Sequence, residues 1–454
     1  MLYFLIKLMA ITAIRTFFNK ISAENVDYIA KDVPIIFTAN HPNTMMDPMI
    51  IGYTCKRKLH FFAKSTLFNN MIAGWFLRRI QIVPVYRKVD DPSKMDQNKE
   101  TFSKGYEILK HNKAFLIFPE GISTGDRILS QIKTGAARIG FGAEAENDWQ
   151  LGVQIIPVGL NYTNAIKFRS DVSTRFGQPI QLTDFRDVYE QNEKEAVHLV
   201  TEQIETALSK LTINLKDLEM QEIVEALERI YKQELAVDLG LETDNKADDF
   251  SVTKGLINAV EWYYENEPLK VNEFNGKLNL YQRLLNRLQI KDEFLDPASS
   301  RVTFWERTKA ISYIIIMFPI YLYGLINNVI PYKLPRWYAR HFVQHKAEVA
   351  PWKMLSGTII FLIYYPIEII IFASLTGSFI WTFIYALSLI PSGNFVLQYI
   401  NRVSDYRQHL RFISVFYKKR TLIYELIKQR TEIIDLLNSY KIEYMDTMGL
   451  NPEK

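Results

Sequence analysis

The run Asn40-His41-Pro42-Asn43-Thr44-Met45-Met46-Asp47-Pro48 sets a histidine and a carboxylate six positions apart, directly after the apolar run Val33–Thr38. Imidazole titrates close to neutral pH, and a carboxylate on one ring nitrogen fixes its tautomer and supports the imidazolium. Such a pair strips a proton from an alcohol with no covalent step on the enzyme, so transfer of an acyl or phosphoryl group to a hydroxyl is the chemistry it suits. Standing alone, a His and an Asp at this spacing are more often surface or capping residues. In one regular helix, six positions at about 100° each would turn them to opposite sides. Pro42 resolves this by opening a helix, which leaves His41 in the preceding loop and Asp47 about one turn in, able to reach back to the ring.

Downstream segments repeat a pattern of polar residues at strand ends. Lys58–Phe68 puts Lys64 just past a strand, and Ile82–Arg87 ends a strand in Arg87. An arginine is always charged and suits planar, bidentate recognition of phosphate. Phe118–Ser123 reads Phe-Pro-Glu-Gly-Ile-Ser and supplies Glu120, Gly121 and Ser123, while Ile155–Asn161 carries Pro157. Each has an ordinary alternative: Lys64 and Arg87 as solvated strand-end cations, Glu120 as a structural acceptor of backbone N–H groups, Ser123 as a helix cap. Ser123 could otherwise hydrogen-bond substrate or an oxyanion. Gly121 lacks a Cβ and lets a ligand approach the backbone. His60, His111, His198, His341, His345 and His409 have no partner at useful spacing and read as structural.

These residues need a scaffold. Apolar runs at Pro34–Thr38, Lys58–Ala63, Ile82–Tyr86, Ala114–Phe118 and Gln154–Leu160 alternate with helical stretches such as Gln97–Lys110. Runs apolar throughout predict strands buried on both faces, hence an α/β domain with a mostly parallel mixed sheet flanked by helices. Polar groups gathered at one end of such a sheet are where these folds hold ligands. The expected organisation is an interfacial N-terminal helix over 1–25 and a catalytic domain over 26–185. A helical region over 186–300 follows, then membrane-embedded segments over 301–395 and a charged helical tail over 396–454. Ala310–Asn327 is about one bilayer long, and Leu355–Ile390 reads as two spans joined tightly or a re-entrant hairpin, with a turn at Thr376-Gly377-Ser378. A formal charge of +4 over 454 residues excludes a bulk electrostatic nucleic-acid binder, while Lys and Arg clusters beside the apolar segments suit an anionic membrane surface. The single cysteine, Cys55, excludes an intrachain disulfide.

The chain resembles the glycerolipid acyltransferase family, the PlsC-like domain, over roughly residues 25–185. Four family blocks occur in order: Asn40-His41…Asp47, a strand ending at Arg87, Phe118-Pro119-Glu120-Gly121, and a segment centred on Pro157. The resemblance implies that His41 is the general base and Asp47 its partner. It also implies that Arg87, Glu120, Gly121, Ser123 and Lys64 bind substrate, and that Pro157 shapes a turn near the acyl site. Lys133 and Arg138 are added as contacts for phosphate or pantetheine. No metal or resident cofactor is implied. Acyl-CoA or acyl-carrier protein is the co-substrate, membrane lipid and a glycerol phosphate are the partners, and the catalytic domain lies on the cytoplasmic side.

Two departures bear on the acceptor. Five residues separate His41 from Asp47 where the commonest form has four, and Gly121-Ile122-Ser123 stands in place of Gly-Thr-Arg-Ser. The block-three arginine is thus missing at its place, leaving Arg127 or Lys133 to stand in. Both departures resemble members that acylate glycerol-3-phosphate or dihydroxyacetone phosphate. The alternatives are acylation of lysophosphatidate and a non-catalytic lipid-binding or scaffold protein on the same fold.

Overall fold

All five apolar runs pair in one sheet. In the computed structural model, which describes residues 2–80, 82–87, 92–243, 245–295 and 304–450, the strands are β1 (Ile21–Glu24), β2 (Ile35–Ala39), β3 (Leu59–Lys64), β4 (Ile82–Val85), β5 (Ala114–Ile117), β6 (Gln154–Tyr162), β7 (Val172–Phe176) and β8 (Ile180–Gln181). Their order is β1-β7-β6-β2-β5-β3-β4, with β8 also on β6. β2 pairs in parallel with β5 and β6, β3 with β4 and β5, and β1 with β7, whereas β6 meets β7 and β8 antiparallel. The sheet is therefore mixed and mostly parallel.

Burial explains why the runs are apolar on both faces. β2 is buried along its whole length. Ile35, Phe37 and Ala39 enter one apolar cluster and Ile36 the opposite one, as strand alternation requires. Helices α1 (Leu2–Phe17), α2 (Met46–Thr54), α3 (Met71–Arg79), α4 (Asn98–Lys110), α5 (Gly135–Glu146), α6 (Arg186–Gln191) and α7 (Glu193–Leu211) accompany the sheet. The α4 helix is the expected crossover. Pro157 sits mid-strand in β6 without costing a ladder bond: the antiparallel neighbour passes there from β7 to β8, and Pro157 O accepts the Gly177 N–H at 2.8 Å.

The compact unit holding the sheet differs from a domain over 26–185. It takes in the chain up to Lys216 together with Pro335–Thr358. At its start, Ile14, Phe17 and Phe18 are buried in the same cluster as β2, and β1 adds a strand. At its end, α7 buries Val200, Ile204 and Leu208 against the other face. The inserted piece comes from far along the chain: Ala350 and Met354 join the cluster of Ile35 and Phe37.

The second unit spans Asp217–Leu334 and Ile359 onward. Its helices are α8 (Leu218–Ile230), α9 (Lys232–Asp238), α10 (Lys246–Asn266), α11 (Pro268–Leu288), α12 (Phe304–Phe342), α13 (Val349–Thr376), α14 (Phe379–Lys418) and α15 (Arg420–Thr447), with α12 and α13 reaching into the first unit at their facing ends. α10 and α11 are divided at Pro268, which takes the first-turn position of α11, where its missing N–H is harmless. A core of Ile223, Leu227, Tyr281, Ile423 and Ile433 ties α8, α11 and α15 together. The boundary expected at residue 300 falls outside the described residues.

Among the described residues, three segments are long and apolar enough to cross a membrane: Ile311–Phe342, Lys346–Thr376 and Phe379–Gln408. The α13–α14 break falls at Gly377, whose φ of +61° suits glycine. Phe372 stacks on Tyr385 at 4.2 Å across that turn, so the two helices form an antiparallel hairpin. Tyr385 Oη donates to Asn327 Oδ1 at 2.6 Å and Tyr365 Oη to Asn328 Oδ1 at 2.7 Å, satisfying the buried amides of α12 from both partners.

Candidate active site

The functional side chains converge because parallel strands end together. The C-terminal ends of β2, β3, β4 and β5 lead into Asn40-His41, Lys64, Tyr86-Arg87 and Phe118–Gly121 in turn. This is the edge at which open α/β sheets hold ligands.

His41 lies in the loop between β2 and α2 as expected, but the helix opens at Met46 rather than at Pro42, so Asp47 is its second residue. Its ring Nδ1 is 2.8 Å from Asp47 Oδ2. The ring stacks on Phe118 with centroids 3.8 Å apart and planes 12° apart, which fixes its tilt. Its side chain is 18% exposed while that of Asp47 is fully buried, and with Nδ1 on Asp47 the ring nitrogen left for a substrate is Nε2. Asp47 is held three ways. Besides His41, Oδ2 accepts the Asn43 N–H at 2.7 Å, and Oδ1 accepts the Tyr162 hydroxyl at 2.5 Å. Burial and the adjacent Asp47 charge push the Tyr162 phenol well above its ordinary range, so it acts as a fixed donor.

The loop around the histidine is anchored at several points. Asn40 exchanges two bonds with Leu160 of β6, donating from Nδ2 to the carbonyl at 3.0 Å and accepting at Oδ1 from the N–H at 2.7 Å. Glu120, only 5% exposed, accepts the His41 N–H at 2.7 Å through Oε1 and the Ser130 N–H at 2.9 Å through Oε2. Desolvation pushes its carboxyl above the ordinary value, opposed by those two N–H donors. Ser123 Oγ accepts the Thr44 N–H at 3.1 Å, and Thr44 Oγ1 donates to Ala347 O at 3.1 Å. Thr44 has φ +32°, a strained value for a β-branched residue that these two bonds hold in place.

The cations gather around Gly121. Arg87 Nη1 donates to Gly121 O at 2.6 Å. Gly121 has φ +70°, and a Cβ there would run into Lys133 Nζ. Lys133 N also donates to Pro119 O at 3.0 Å, so its side chain starts beside the block-three loop. Lys133 thus supplies a cation beside the position left empty by the missing arginine. Arg127 instead reaches Thr163 O at 3.4 Å, and Arg138 lies over the Phe102 ring at 5.2 Å. Lys64 is exposed at the end of β3, level with Val85 of β4. The remaining histidines behave as structural or surface groups: His111 and His198 make exposed pairs with Glu107 and Glu202, and His341 bonds Trp337 O. The side chain of His409 lies outside the described residues.

Residues 20–161 match the family described as Acyltransferase. This part of the chain is similar to that family. The match ends within β6, so that β7, β8 and α7 complete the sheet and its cover beyond it. Two relatives are from Saccharomyces cerevisiae. Glycerol-3-phosphate O-acyltransferase 1 is 25% identical over 283 residues, 58% of this chain and 36% of the relative. Glycerol-3-phosphate O-acyltransferase 2 is 32% identical over 136 residues, 30% of this chain and 18% of the relative. A 1-acyl-sn-glycerol-3-phosphate acyltransferase from Streptococcus pneumoniae is 28% identical over 194 residues, 41% of this chain and 64% of the relative. The chain therefore spans about a third of the first yeast relative and about a fifth of the second.

Tyr162 was not singled out in the sequence, although it sits one residue beyond the Pro157 segment. Asn40 and Phe118 were within quoted motifs without a role. Their signal was position: each lies where a buried strand meets the His41 loop.

Proposed function

We propose that the protein is a membrane-associated O-acyltransferase that moves a fatty acyl group from an acyl thioester to a hydroxyl of glycerol-3-phosphate or dihydroxyacetone phosphate. The observation that carries this reading is the His41–Asp47 pair at 2.8 Å, its imidazole partly exposed, at the same sheet edge as Arg87 and Lys133. Asp47 keeps the proton on Nδ1, leaving Nε2 to take the proton of the acceptor hydroxyl. The hydroxyl oxygen attacks the thioester carbonyl, the tetrahedral oxyanion collapses, the C–S bond breaks, and imidazolium returns its proton to the thiolate. Arg87 and Lys133 hold the acceptor phosphate, and Glu120 positions the backbone of His41. The reaction needs no resident cofactor. The helices of membrane-spanning length suit a lipid product, with the catalytic unit on the cytoplasmic side.

Acylation of lysophosphatidate is the second reading, favoured by the streptococcal relative. The larger shared length with the first yeast relative and the five-residue spacing within the His–Asp motif favour the first. Purified full-length protein with a labelled acyl thioester and a panel of glycerol-3-phosphate, dihydroxyacetone phosphate, lysophosphatidate or no acceptor tests both. Labelled monoacyl product only with the small phosphates supports the proposal. Transfer confined to lysophosphatidate overturns it in favour of the second reading, and no transfer to any acceptor leaves the non-catalytic scaffold.

A further inference from the structure

The facing ends of the first two apolar segments carry charge that the catalytic reading does not use. Between Pro335 and Thr358 lie four cations, Arg336, Arg340, Lys346 and Lys353, and one acid, Glu348. Lys346 is committed to Asp126 at 2.5 Å. The other three make no ion pair with a carboxylate among the described residues. Arg336 and Arg340 are exposed and one turn apart on α12. Lys353 lies one turn into α13, and its Nζ donates to Ile166 O at 3.1 Å.

These helix ends run side by side. Gly357 faces Pro335, and Tyr338 meets Trp352 with ring centroids 5.8 Å apart. That pairing sets the helix end carrying Arg336 and Arg340 beside the one carrying Lys353. Three cations held together without a carboxylate repel one another and favour an anion between them. Their surroundings point to the bilayer surface. Trp337 is 51% exposed and Trp352 38% exposed beside them. The apolar segments here run 32 and 31 residues, while about 20 suffice to cross the hydrocarbon, so these ends fall in the interfacial region. Exposed tryptophans with arginine and lysine are the side chains that settle at headgroup level.

We infer that Arg336, Arg340 and Lys353 form a binding site for the phosphate of an anionic membrane phospholipid, with Trp337 and Trp352 against its glycerol and acyl region. The site is tied to the catalytic loop through one short segment: Lys353 holds Ile166 O, and the neighbouring Ala165 O accepts from Asn43 Nδ2 at 2.7 Å. A headgroup bound there would brace the loop that carries Asn43 and Asp47.

The test needs no turnover, so its outcome is independent of the acyl-transfer reading. Full-length protein in a neutral detergent is melted with rising mole fractions of phosphatidate or phosphatidylcholine, and separately with soluble coenzyme A at matched phosphate concentration. A ligand that binds only the folded state raises the melting temperature saturably. Phosphatidate, and not phosphatidylcholine, should do so, and R336Q/R340Q/K353Q should lose most of that gain while keeping its response to coenzyme A. Equal gains from phosphatidate in variant and wild type overturn the site. So does a variant that loses the coenzyme A response instead, since the cluster would then serve the soluble donor. If the triple variant shows no melting transition, R336Q/R340Q retains the Lys353–Ile166 bond and is read by the same two criteria.

Discussion

Tyr162 donates to Asp47 Oδ1 at 2.5 Å across 115 residues of sequence, joining the end of β6 to the first turn of α2. Together with the Asn43 N–H it uses the Asp47 lone pairs that His41 does not, so that this fully buried carboxylate is paired on every side. Tyr162→Phe removes one donor and leaves ring packing intact. A hydrogen bond to a charged group contributes about 1.5–3 kcal/mol, so kcat should fall roughly ten- to a hundred-fold with little change in KM for the acceptor. Initial-rate kinetics with varied acceptor read the two constants separately, and an unchanged kcat would mean that Tyr162 is only a packing residue.

His41→Ala and Asp47→Asn separate base from orienter. Loss of a general base costs about 10²–10⁴ in rate. His41→Ala should lose transfer on that scale with the fold kept, because Phe118 and the strands remain. Asp47→Asn should lose as much by permitting the wrong tautomer, and should also be less stable, because the Asn43 N–H and Tyr162 hydroxyl then compete for one amide oxygen. Circular dichroism beside a labelled-acyl assay reads both effects. Turnover by His41→Ala near the wild-type rate would remove the base from the mechanism.

Glu120 predicts a pH signature in stability. Its carboxyl is raised above 4.5 in the folded protein, mainly by desolvation, so the folded state binds this proton more tightly than the unfolded chain. The cost of burying the ion is absent below about 4.5 and grows as pH rises through the folded value. Glu120→Gln does not titrate. It suffers instead a pH-independent penalty of about 1–3 kcal/mol, since its amide NH2 must face the N–H of His41 or Ser130. The stability difference between the two proteins should therefore shift toward the variant as pH is raised. Urea denaturation across about pH 4–8 measures it, and a flat difference would show that the carboxyl is unperturbed.

The Arg87–Gly121–Lys133 arrangement separates geometry from charge. Gly121→Ala forces a side chain into a left-handed backbone, costing about 1–2 kcal/mol, and displaces the Lys133 ammonium. Arg87→Lys keeps the charge and loses the planar fork that both holds Gly121 O and suits a phosphate. Both substitutions should raise KM for a phosphorylated acceptor more than they lower kcat, by about tenfold for each 1.4 kcal/mol. Initial-rate kinetics with varied acceptor distinguish this from a loss in kcat alone.

The parts of this fold that were legible in the sequence are local. The five apolar runs became β2 to β6 within a residue or two, β2, β5 and β6 because a strand buried on both faces must be apolar throughout, and Gln97–Lys110 became α4 by its helical spacing. His41 falls outside the helix and Asp47 inside it as expected, although the helix opens at Met46 and not at Pro42, because the intervening residues form the loop that Asn43 and Thr44 anchor. The edge strands β1 and β8 are short and half-exposed, so they lack that pattern. Tyr162 was hidden for a different reason. Its partner lies 115 residues away, and nothing in the spacing of Asn161-Tyr162 reports a contact at that range. The two readings of Glu120 likewise differed only in which groups the folded loops would bring to its oxygens.

The least legible feature is the contribution of Pro335–Thr358 to the catalytic unit, which gives the last prediction. Ala350 and Met354 are 0% and 7% exposed and pack in the cluster of Ile14, Phe37 and Met46, while Ala347 accepts the Thr44 hydroxyl. Gly125, at φ +81°, sits so close to Ala347 N that a Cβ would collide with it. A fragment ending at Lys216 therefore exposes part of its own core and leaves strained Thr44 with one restraint. It should fail to show the cooperative melting expected of an independent domain of its size. In the full chain, Met354→Ala should cost about 2–5 kcal/mol locally, the range for truncating a buried large side chain. Hydrogen exchange at the amides of β2 and β6 reads that cost without requiring the whole chain to unfold in one step. Undiminished protection in the variant, with a fragment that melts as sharply as the full chain, would show that this segment merely rests on the domain.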